Sequence, residues 1–346
     1  MPMTDDALTL AAPAVSIDEA TALIQAYYGL AGRIEPIPGE RDRNFRLTDE
    51  AGRGFVLKMA NPAEPPSITH LQTATLAHLA ARDPGLPVPR VVPTRDGRLE
   101  FAHGEPPMVT RLLTYLDGIS LHASPPSSVQ AGRLGALLGR IDRALADFRH
   151  PAMARDLLWD ATRVGQVRGL LPHIDDAEGR QLVARQIDRF ETEVAPRLAA
   201  LPRQLIHNDL NPHNAVTQAG DPEAIAGIID FGDALEAPAV ADLGTALAYQ
   251  MGGEAAPLER ALAFARGYHA VRPLSGEEIA VLPDLMAARM VLTIAITHWR
   301  AGLQPENSAY ILRNNPGAWA SLRRLTAMAP GQAVTEFRRA LGEAPT

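Results

Sequence analysis

One short segment, His207-Asn208-Asp209-Leu210-Asn211-Pro212-His213-Asn214, places an aspartate and an asparagine close together in the chain. Pro212 lies between them and lacks a backbone donor, so a continuous helix is not expected here. The segment begins within a short β-type run at residues 203–208, which predicts an irregular loop after a strand. Such a loop can direct Asp209 and Asn214 into one cleft.

A second carboxylate follows in the segment Ile228-Ile229-Asp230-Phe231-Gly232-Asp233. The isoleucine-rich run of residues 225–229 favours a strand that ends at Asp230. A turn predicted at residues 220–222 makes the intervening length suitable for a hairpin. The hairpin would return Asp230 to the loop, so the sequence predicts two carboxylates and an amide oxygen around one point.

These side chains suit phosphoryl transfer from a nucleotide. That chemistry needs Mg²⁺ on the phosphates, a cation that holds the nucleotide, and a carboxylate that orients the acceptor hydroxyl and accepts its proton. Mg²⁺ prefers hard oxygen ligands, which makes Asn214 and Asp230 the candidate metal ligands. Asp209 is then left as the catalytic base.

Lys58 is the one lysine among 33 basic residues, and all the others are arginine. Because arginine replaces lysine everywhere else, the lysine at position 58 indicates a site that needs a compact ammonium and not a planar guanidinium. Lys58 lies near the end of the second of two β-type runs, residues 44–48 and 55–59, which turn residues separate. The alternative is that one lysine remained by chance.

Composition limits the classes of function. A chain of 346 residues exceeds the usual size of a single core, and its net charge of −7 provides no basic field for nucleic acid. The absence of cysteine excludes disulfides and a cysteine nucleophile. Asp5 and Asp6 do not fit an export signal, and the apolar run at residues 290–299 is too short to span a membrane, which predicts a buried helix. We therefore expect a cytoplasmic protein without nucleic-acid or membrane partners.

The pattern of secondary structure changes near residue 115. Before it, strands are predicted at residues 44–48, 55–59, 88–92 and 108–113, with helices at residues 20–28 and 67–81. After it, most segments are helical: residues 129–148, 181–201, 240–251, 258–270, 279–300 and 308–327. The predicted fold is α+β in two lobes. A small antiparallel β lobe at residues 1–115 would bind nucleotide, and a mostly α lobe at residues 116–346 would hold the catalytic and acceptor groups.

The loop and the strand after it resemble the signature of the aminoglycoside phosphotransferase and choline kinase superfamily, His-X-Asp-X4-Asn followed by Ile-Asp-Phe/Tyr-Gly/Glu. Residues 28–45, 55–61 and 288–325 are also similar to the hydroxylysine kinase branch, which occurs as a kinase domain attached to class III aminotransferases. The resemblance implies a protein-kinase-like fold and Mg²⁺-dependent transfer from ATP or GTP to a hydroxyl of a small amine or amino acid. Hydroxylysine is the first candidate, and aminoglycoside, homoserine and choline-type acceptors are the alternatives.

The resemblance also assigns residues to the nucleotide side. Lys58 corresponds to the lysine that holds the nucleotide phosphates. Residues 40–45 replace a glycine-rich lid, and the lid residues expected at the nucleotide are Arg41, Arg43 and Asn44. A helix glutamate normally pairs with the lysine, but Gln72 stands at that position and Glu64 lies earlier in the chain, so the partner of Lys58 is open.

Two further residues are expected to support the catalytic loop. His207 resembles the histidine that braces this loop in the family. Asp242 fits either a residue that holds the loop through hydrogen bonds or one that favours the dipole of its helix.

The acceptor side is least defined by the sequence. Asp233 could hold an amine, Arg289 or Arg300 a carboxylate, and Trp299 could form a packing wall. Two other classes of function are also kept: a catalytically inactive nucleotide-binding protein, because of Gln72, and a metal-dependent hydrolase. The hydrolase would use His207, Asp209, His213 and Asp230 around a zinc-type centre.

Overall fold

The computed structural model describes residues 12–39 and 41–343. The expectations for Glu40 and for the N-terminal segment that contains Asp5 and Asp6 lie outside these residues. Within the described part, an antiparallel β lobe precedes a mostly helical lobe. The predicted α+β fold class is therefore confirmed.

The first lobe is built on a six-stranded antiparallel sheet. Its strands are β1 (Gly32–Ile37), β2 (Arg43–Asp49), β3 (Gly54–Met59), β4 (Val91–Val92), β5 (Phe101–His103) and β6 (Met108–Thr114). They lie in the order β1-β2-β3-β6-β4, and β5 pairs with β6. Two helices accompany the sheet, α1 (Ile17–Tyr28) and α2 (Pro66–Arg82).

Helix α1 begins and ends at the residues that its sequence indicates. The Ser16 side chain accepts a hydrogen bond from the backbone N–H of Glu19 at 3.1 Å, and Gly29 ends the helix at φ 68°. Its buried face includes Leu23 and Ile24, which belong to the core of the sheet lobe. Helix α2 differs, because its buried leucines join the larger core of the second lobe.

The second lobe is mostly helical. Its helices are α3 (Ser128–Leu145), α4 (Ala177–Arg189), α5 (Ala195–Ala199), α6 (Ala239–Ala248), α7 (Glu259–Val271), α8 (Gly276–Leu303), α9 (Ser308–Ile311), α10 (Asn315–Ala327) and α11 (Gln332–Leu341). Its strands are β7 (Ile119–Ser120), β8 (Arg203–Ile206), β9 (Ala215–Gln218), β10 (Asp221–Ile228) and β11 (Leu235–Pro238). They form two small sheets, β10-β9-β7 and β11-β8.

Helix α8 is the central helix of this lobe. It is long and apolar enough to cross a membrane, but 83% of its most apolar 18-residue stretch is buried inside the protein. It packs against α6, α10 and a 3₁₀ segment at Ala161–His173. The predicted buried segment at residues 290–299 lies within it, and an apolar core helix of this kind meets the same criteria as a membrane span.

Several boundaries differ from the sequence-based predictions. The strand expected at residues 88–92 is reduced to β4, because Pro87 and Pro89 have no N–H for a strand ladder. Strand β1 was not predicted, since its residues do not alternate clearly between apolar and polar. The helix expected at residues 308–327 is divided into α9, a short 3₁₀ turn and α10, which has proline at its start. The expected helix at residues 181–201 is likewise interrupted by a π-helical turn at Phe190–Val194.

The predicted hairpin exists, but its first strand is β9 and not the earlier run at residues 203–208. Strand β9 pairs with β10 in an antiparallel register that joins Ala215 to Ile228. The turn precedes residue 221, with Gly220 at φ 87°, so Asp221 already belongs to β10. Strand β8 pairs instead with β11.

Candidate active site

The catalytic loop connects β8 to β9 and is fixed by a buried carboxylate. Asp242, in the first turn of α6, accepts hydrogen bonds from the backbone N–H groups of His207 and Asn208, both at 2.8 Å. Asn208 has φ 66°, a left-handed conformation that asparagine tolerates better than most residues. Asp242 therefore holds a strained backbone immediately before Asp209.

His207 connects this loop to the strand that leads to Asp230. Its Nε2 lies 3.0 Å from the backbone oxygen of Ile229, and its Nδ1 accepts a hydrogen bond from the N–H of Asp209 at 3.2 Å. The ring is fully buried and packs edge-on against Phe231. Because both ring nitrogens are engaged, His207 is not arranged as a metal ligand.

Asp209 is held through both carboxylate oxygens. Its Oδ1 lies 2.5 Å from Nη2 of Arg289, and its Oδ2 accepts hydrogen bonds from the side-chain amides of Asn211 and Asn214 at 2.9 and 2.8 Å. Burial raises the pKa of Asp209 to about 6, and the charge of Arg289 opposes that rise. Asp209 is thus an oriented carboxylate at the wall of the cleft.

Asn214 and Asp230 meet at the end of the hairpin. The N–H of Ile229 donates to the backbone oxygen of Asn214 at 2.9 Å, which places Asp230 beside the loop. Asp230 itself has φ 64° and accepts a hydrogen bond from the N–H of Gly232. Lys58 lowers the pKa of Asp230 to about 2, so this carboxylate is ionised at neutral pH.

The donor set fits a hard divalent cation. The amide nitrogen of Asn214 already donates to Asp209, which leaves the amide oxygen of Asn214 for a metal. The side chain of Asp230 is half exposed, so its carboxylate can be reached from the cleft. One carboxylate and one amide oxygen are ligands that Mg²⁺ accepts while it keeps several waters.

Lys58 lies between two carboxylates. Its Nζ is 3.7 Å from Asp42 in the lid and 3.6 Å from Asp230. Gln72 does not pair with it, because its Oε1 accepts a hydrogen bond from the buried guanidinium of Arg111. Arg111 is the cross-strand neighbour of Lys58 in the sheet. The open question about the partner of Lys58 is therefore answered by Asp42 and Asp230.

The three lid residues do not share one position. Arg41 reaches across the cleft and its Nη2 binds Asp233 at 2.7 Å, while Asn44 is buried at the cleft wall. Arg43 does not line the cleft. It lies on the opposite face of β2, with its guanidinium 4.9 Å from the centre of the Phe45 ring. The position expected for Arg43 was wrong because side chains alternate along a strand.

The cleft between the lobes has two parts. The outer part, about 410 Å³, is lined by Lys58, Asp209, Asn214 and Asp230. The inner part, about 290 Å³, is lined by apolar side chains that include Val56, Leu76, Leu113 and Val216. A flat apolar group can lie in the inner part while a charged group extends toward Lys58.

A smaller cavity of about 90 Å³ lies on the other side of Asp209. We call it the acceptor cavity, and its walls include Trp159, Asp209, Asp233, Arg289 and Arg300. Trp299 does not line it. Arg289, Thr293, Thr297 and Arg300 recur at intervals of three or four and share one face of α8, whereas position 299 points elsewhere. The indole expected from Trp299 is supplied by Trp159, over which Arg289 lies at 4.9 Å.

Comparison with known proteins identifies the family. The sequence profile of the phosphotransferase enzyme family, APH, matches residues 33–274. The chain belongs to this phosphotransferase family. The resemblance to aminoglycoside phosphotransferases is thereby confirmed, and the chain is a phosphotransferase that acts on small-molecule hydroxyls.

Curated relatives refine this similarity. The chain is 25% identical to the hydroxylysine kinase of Mus musculus over 94% of its length and 93% of that protein. It is 33% identical to the homoserine kinase of Hyphomonas neptunium over 80% of its length and 85% of that protein. The solved structure of an amicoumacin kinase with AMP-PNP, Ca²⁺ and amicoumacin matches with a TM-score of 0.64 at 17% identity, covering 88% of this chain and 93% of that one. That last likeness concerns the fold alone.

The two other classes of function lose support in this phosphotransferase. Both ring nitrogens of His207 are engaged by backbone groups, which argues against the zinc-type hydrolase that would use it as a ligand. The inactive alternative depended on Gln72, but the contacts of Lys58 do not involve that residue.

Arg289 contacts Asp209, and Tyr249 and Trp159 contact Arg289; sequence patterns did not predict these contacts. The sequence suggests Arg289 only as a partner for the carboxylate of the acceptor and does not predict its ion pair with Asp209. Tyr249, whose hydroxyl accepts from Nε of Arg289 at 3.0 Å, and Trp159 were missed entirely. A sequence signal existed for Arg289, since it is a buried charge within the otherwise apolar α8.

Proposed function

We propose that this small-molecule kinase transfers the γ-phosphate of ATP or GTP, with Mg²⁺, to the hydroxyl of a small amine or amino acid. Hydroxylysine is the first acceptor to test. The observation that carries the proposal is the meeting of Asp209, Asn214 and Asp230 at one end of the hairpin, opposite Lys58. Phosphoryl transfer uses this combination of base, hard oxygen ligands and cation.

In the proposed reaction, Asp209 accepts a hydrogen bond from the acceptor hydroxyl. The hydroxyl oxygen forms a bond to the γ-phosphorus as the bond from that phosphorus to the β–γ bridging oxygen breaks. The hydroxyl proton passes to Asp209, and the leaving oxygen keeps the electron pair of the broken bond. Mg²⁺ held by Asn214 and Asp230 would neutralise charge on the nucleotide phosphates.

Other residues hold the reactants in this scheme. Lys58 binds the nucleotide phosphates and exchanges its contact with Asp42 for them. The apolar inner cleft takes the nucleotide base, and Arg41 and Asn44 lie above the phosphates. His207 and Asp242 keep the catalytic loop in place through the hydrogen bonds described above.

The acceptor is proposed from similarity and from charge. Hydroxylysine and homoserine kinases are named for amino acids that carry a hydroxyl, an ammonium and a carboxylate. The acceptor cavity has Asp233 for an ammonium, and Arg300 is buried in its wall. The sequence predicts Arg289 or Arg300 as the partner of a carboxylate, and both line this cavity.

A phosphorylation screen tests the function. Purified protein with Mg²⁺ and either ATP or GTP would be offered hydroxylated amino acids, amino alcohols, aminoglycosides and choline, and nucleoside diphosphate would be measured. We expect diphosphate formation that depends on a hydroxylated amino acid. Activity confined to aminoglycosides or choline would contradict the proposed acceptor, and no acceptor-dependent turnover with either nucleotide would contradict the kinase itself.

A further inference from the structure

A further cavity is lined by Arg289 and adjoins the acceptor cavity, and Asp209 is not among its described lining residues. It measures about 280 Å³ and is enclosed by the end of α6, the middle of α8 and the side of α10. It shares Tyr249, Arg289, Thr293 and Arg313 with the acceptor cavity, so the two spaces have common walls. We call this cavity the arginine pocket.

The arginine pocket has an unusual charge for an acidic protein. Three arginines line it, namely Arg289, Arg313 and Arg324, and no aspartate or glutamate in the described part of the chain does so. The outer cleft has the opposite balance. Its acidic residues are Asp42, Glu64, Asp209, Asp230 and Asp233, and its basic residues are Arg41, Lys58 and Arg313.

Like charges are gathered in the arginine pocket although the chain carries a net charge of −7. Arg289 already pairs with Asp209, but Arg313 and Arg324 add positive charge beside it, and an anion would offset the electrostatic cost of that charge. The outer cleft is therefore lined mostly by acidic charges, whereas the arginine pocket is lined by basic ones.

Each of the three guanidinium groups is held by other contacts and has further N–H donors that could bind an anion. Arg324 donates through Nη1 to the backbone oxygen of Gly252 at 3.2 Å, and Arg313 donates through Nη1 to that of Tyr310 at 3.0 Å. Neither has an ion-pair partner within the described part of the chain. Nη1 of Arg289 is buried and also lacks a hydrogen-bond partner among described residues. Arg313 is exposed and Arg324 is partly exposed, so the buried donor is Nη1 of Arg289. A buried donor is normally satisfied, and a carboxylate can accept from several guanidinium donors at once.

We propose that the arginine pocket binds the carboxylate of an acceptor whose hydroxyl lies at Asp209. The inference rests on the proposed function and narrows its substrate class to hydroxylated amino acids, as opposed to amino alcohols, aminoglycosides or choline. Arg289 connects the two ends of the substrate, because its Nη2 holds Asp209 while the same side chain lines the pocket. Arg313 and Arg324 supply the additional positive charge.

The experiment compares an amino acid with its decarboxylated amine. For wild type and each variant, KM and kcat are measured for hydroxylysine, or for the best amino acid of the screen, and for the matching amine. Arg324→Gln removes charge from a residue that lines the arginine pocket but neither the outer cleft nor the acceptor cavity. We expect KM for the amino acid to rise at least about tenfold, the scale of a lost charge-assisted hydrogen bond. KM for the amine and for the nucleotide should change less than about twofold by the same reasoning.

Two further variants make the result independent of a single side chain. Gly317→Leu adds bulk at the pocket wall, where a Cβ would meet no atom within 4 Å, and should also raise KM for the amino acid. Arg324→Lys keeps the charge and should recover part of the affinity. The matched control is Arg323→Gln, which removes the same charge from the neighbouring position of α10. Arg323 is exposed and pairs with Asp176 on the surface, so this control should leave all constants unchanged.

Three outcomes would overturn the proposal while the kinase function remains. The first is an unchanged KM for the amino acid in both Arg324→Gln and Gly317→Leu. The second is a rise in KM for Arg300→Ala without any rise for Arg324→Gln, which would locate the carboxylate in the acceptor cavity. The third is a wild-type enzyme that uses the amine as well as the amino acid. Absence of turnover with every acceptor and both nucleotides would instead remove the proposed function.

Discussion

The catalytic loop with its hairpin and the acceptor side of the molecule are assembled in different ways. Asp209, Asn214 and Asp230 come from one continuous segment, residues 207–230, that a hairpin folds back on itself. The acceptor cavity draws on residues from Arg41 to Asn314, and the arginine pocket on residues from Ala248 to Arg324, so the lid, the catalytic loop and several helices all contribute. Apart from Lys58, the groups for phosphoryl transfer are thus local in sequence, whereas most groups around the acceptor are brought together by the packing of elements far apart in the chain.

The largest effect is expected from the loss of the catalytic base, Asp209. Asp209→Asn keeps the shape of the side chain but removes the proton acceptor, so we expect kcat to fall by at least about 10²-fold. The nucleotide dissociation constant should stay near that of wild type, since nucleotide contacts lie on the other side of the cleft. Steady-state kinetics and calorimetric titration measure the two quantities.

Asn211→Ala is the matched control for that variant. It removes one hydrogen bond to Oδ2 of Asp209 and the bond that the Asn211 side chain accepts from the N–H of His213, and it leaves the carboxylate in place. Loss of one such charge-assisted bond should reduce kcat by about tenfold, a smaller loss than in Asp209→Asn. Equal losses in the two variants would mean that the loop geometry, and not the proton acceptor, limits turnover.

The next largest effect is expected at the metal. Asp230→Ala removes the ionised ligand, so activity should require a much higher Mg²⁺ concentration and reach a lower plateau. Asp233→Asn changes a nearby carboxylate that binds Arg41. That variant should leave the Mg²⁺ midpoint unchanged. Superimposable Mg²⁺ titrations for wild type and Asp230→Ala would exclude Asp230 as a ligand.

Lys58→Arg should have a smaller but clear effect. The charge is kept, but a wider planar group replaces a compact ammonium between Asp42 and Asp230, so nucleotide KM should rise or kcat should drop. Kinetics at saturating acceptor would measure this. If the constants match those of wild type, the single lysine of the chain has no special role at the nucleotide.

The smallest effect is predicted for Arg43. The sequence places this residue at the nucleotide, whereas the structure places it away from the cleft. Arg43→Ala should leave nucleotide KM within about twofold of wild type, because Arg43 lies over Phe45 away from the cleft. Arg41→Ala removes the lid residue that crosses the cleft and should raise nucleotide KM more. A larger change in Arg43→Ala than in Arg41→Ala would contradict the observed alternation of the lid.

The same contrast explains what could be predicted from the sequence. Asp209, Asn214, Asp230 and Lys58 could be brought to one cleft, because their motifs have fixed spacing and end strands or loops. The sequence allows either a hydrogen-bonding or a dipole role for Asp242, since only the folded chain reveals its contacts with His207 and Asn208.

The remaining errors concern faces and distant contacts. Trp299 and Arg300 are adjacent in sequence, yet only Arg300 lines the acceptor cavity, and a shift of one residue along a helix changes the face by about 100°. The contact between Trp159 and Arg289 joins the turn before the 3₁₀ segment to the centre of α8. No local pattern encodes that pairing, because it results from the packing of helices far apart in the chain.

Product analysis by ³¹P NMR distinguishes phosphoryl transfer to a hydroxyl from every other reaction considered for this chain. Wild-type protein would be incubated with ATP or GTP, Mg²⁺ and hydroxylysine, alongside the Asp209→Asn variant. We predict a phosphate monoester on the acceptor in the same amount as the nucleoside diphosphate for wild type, and loss of both signals for the variant. Inorganic phosphate without a monoester, or the monoester formed at an equal rate by Asp209→Asn, would contradict the role of Asp209 at the acceptor hydroxyl.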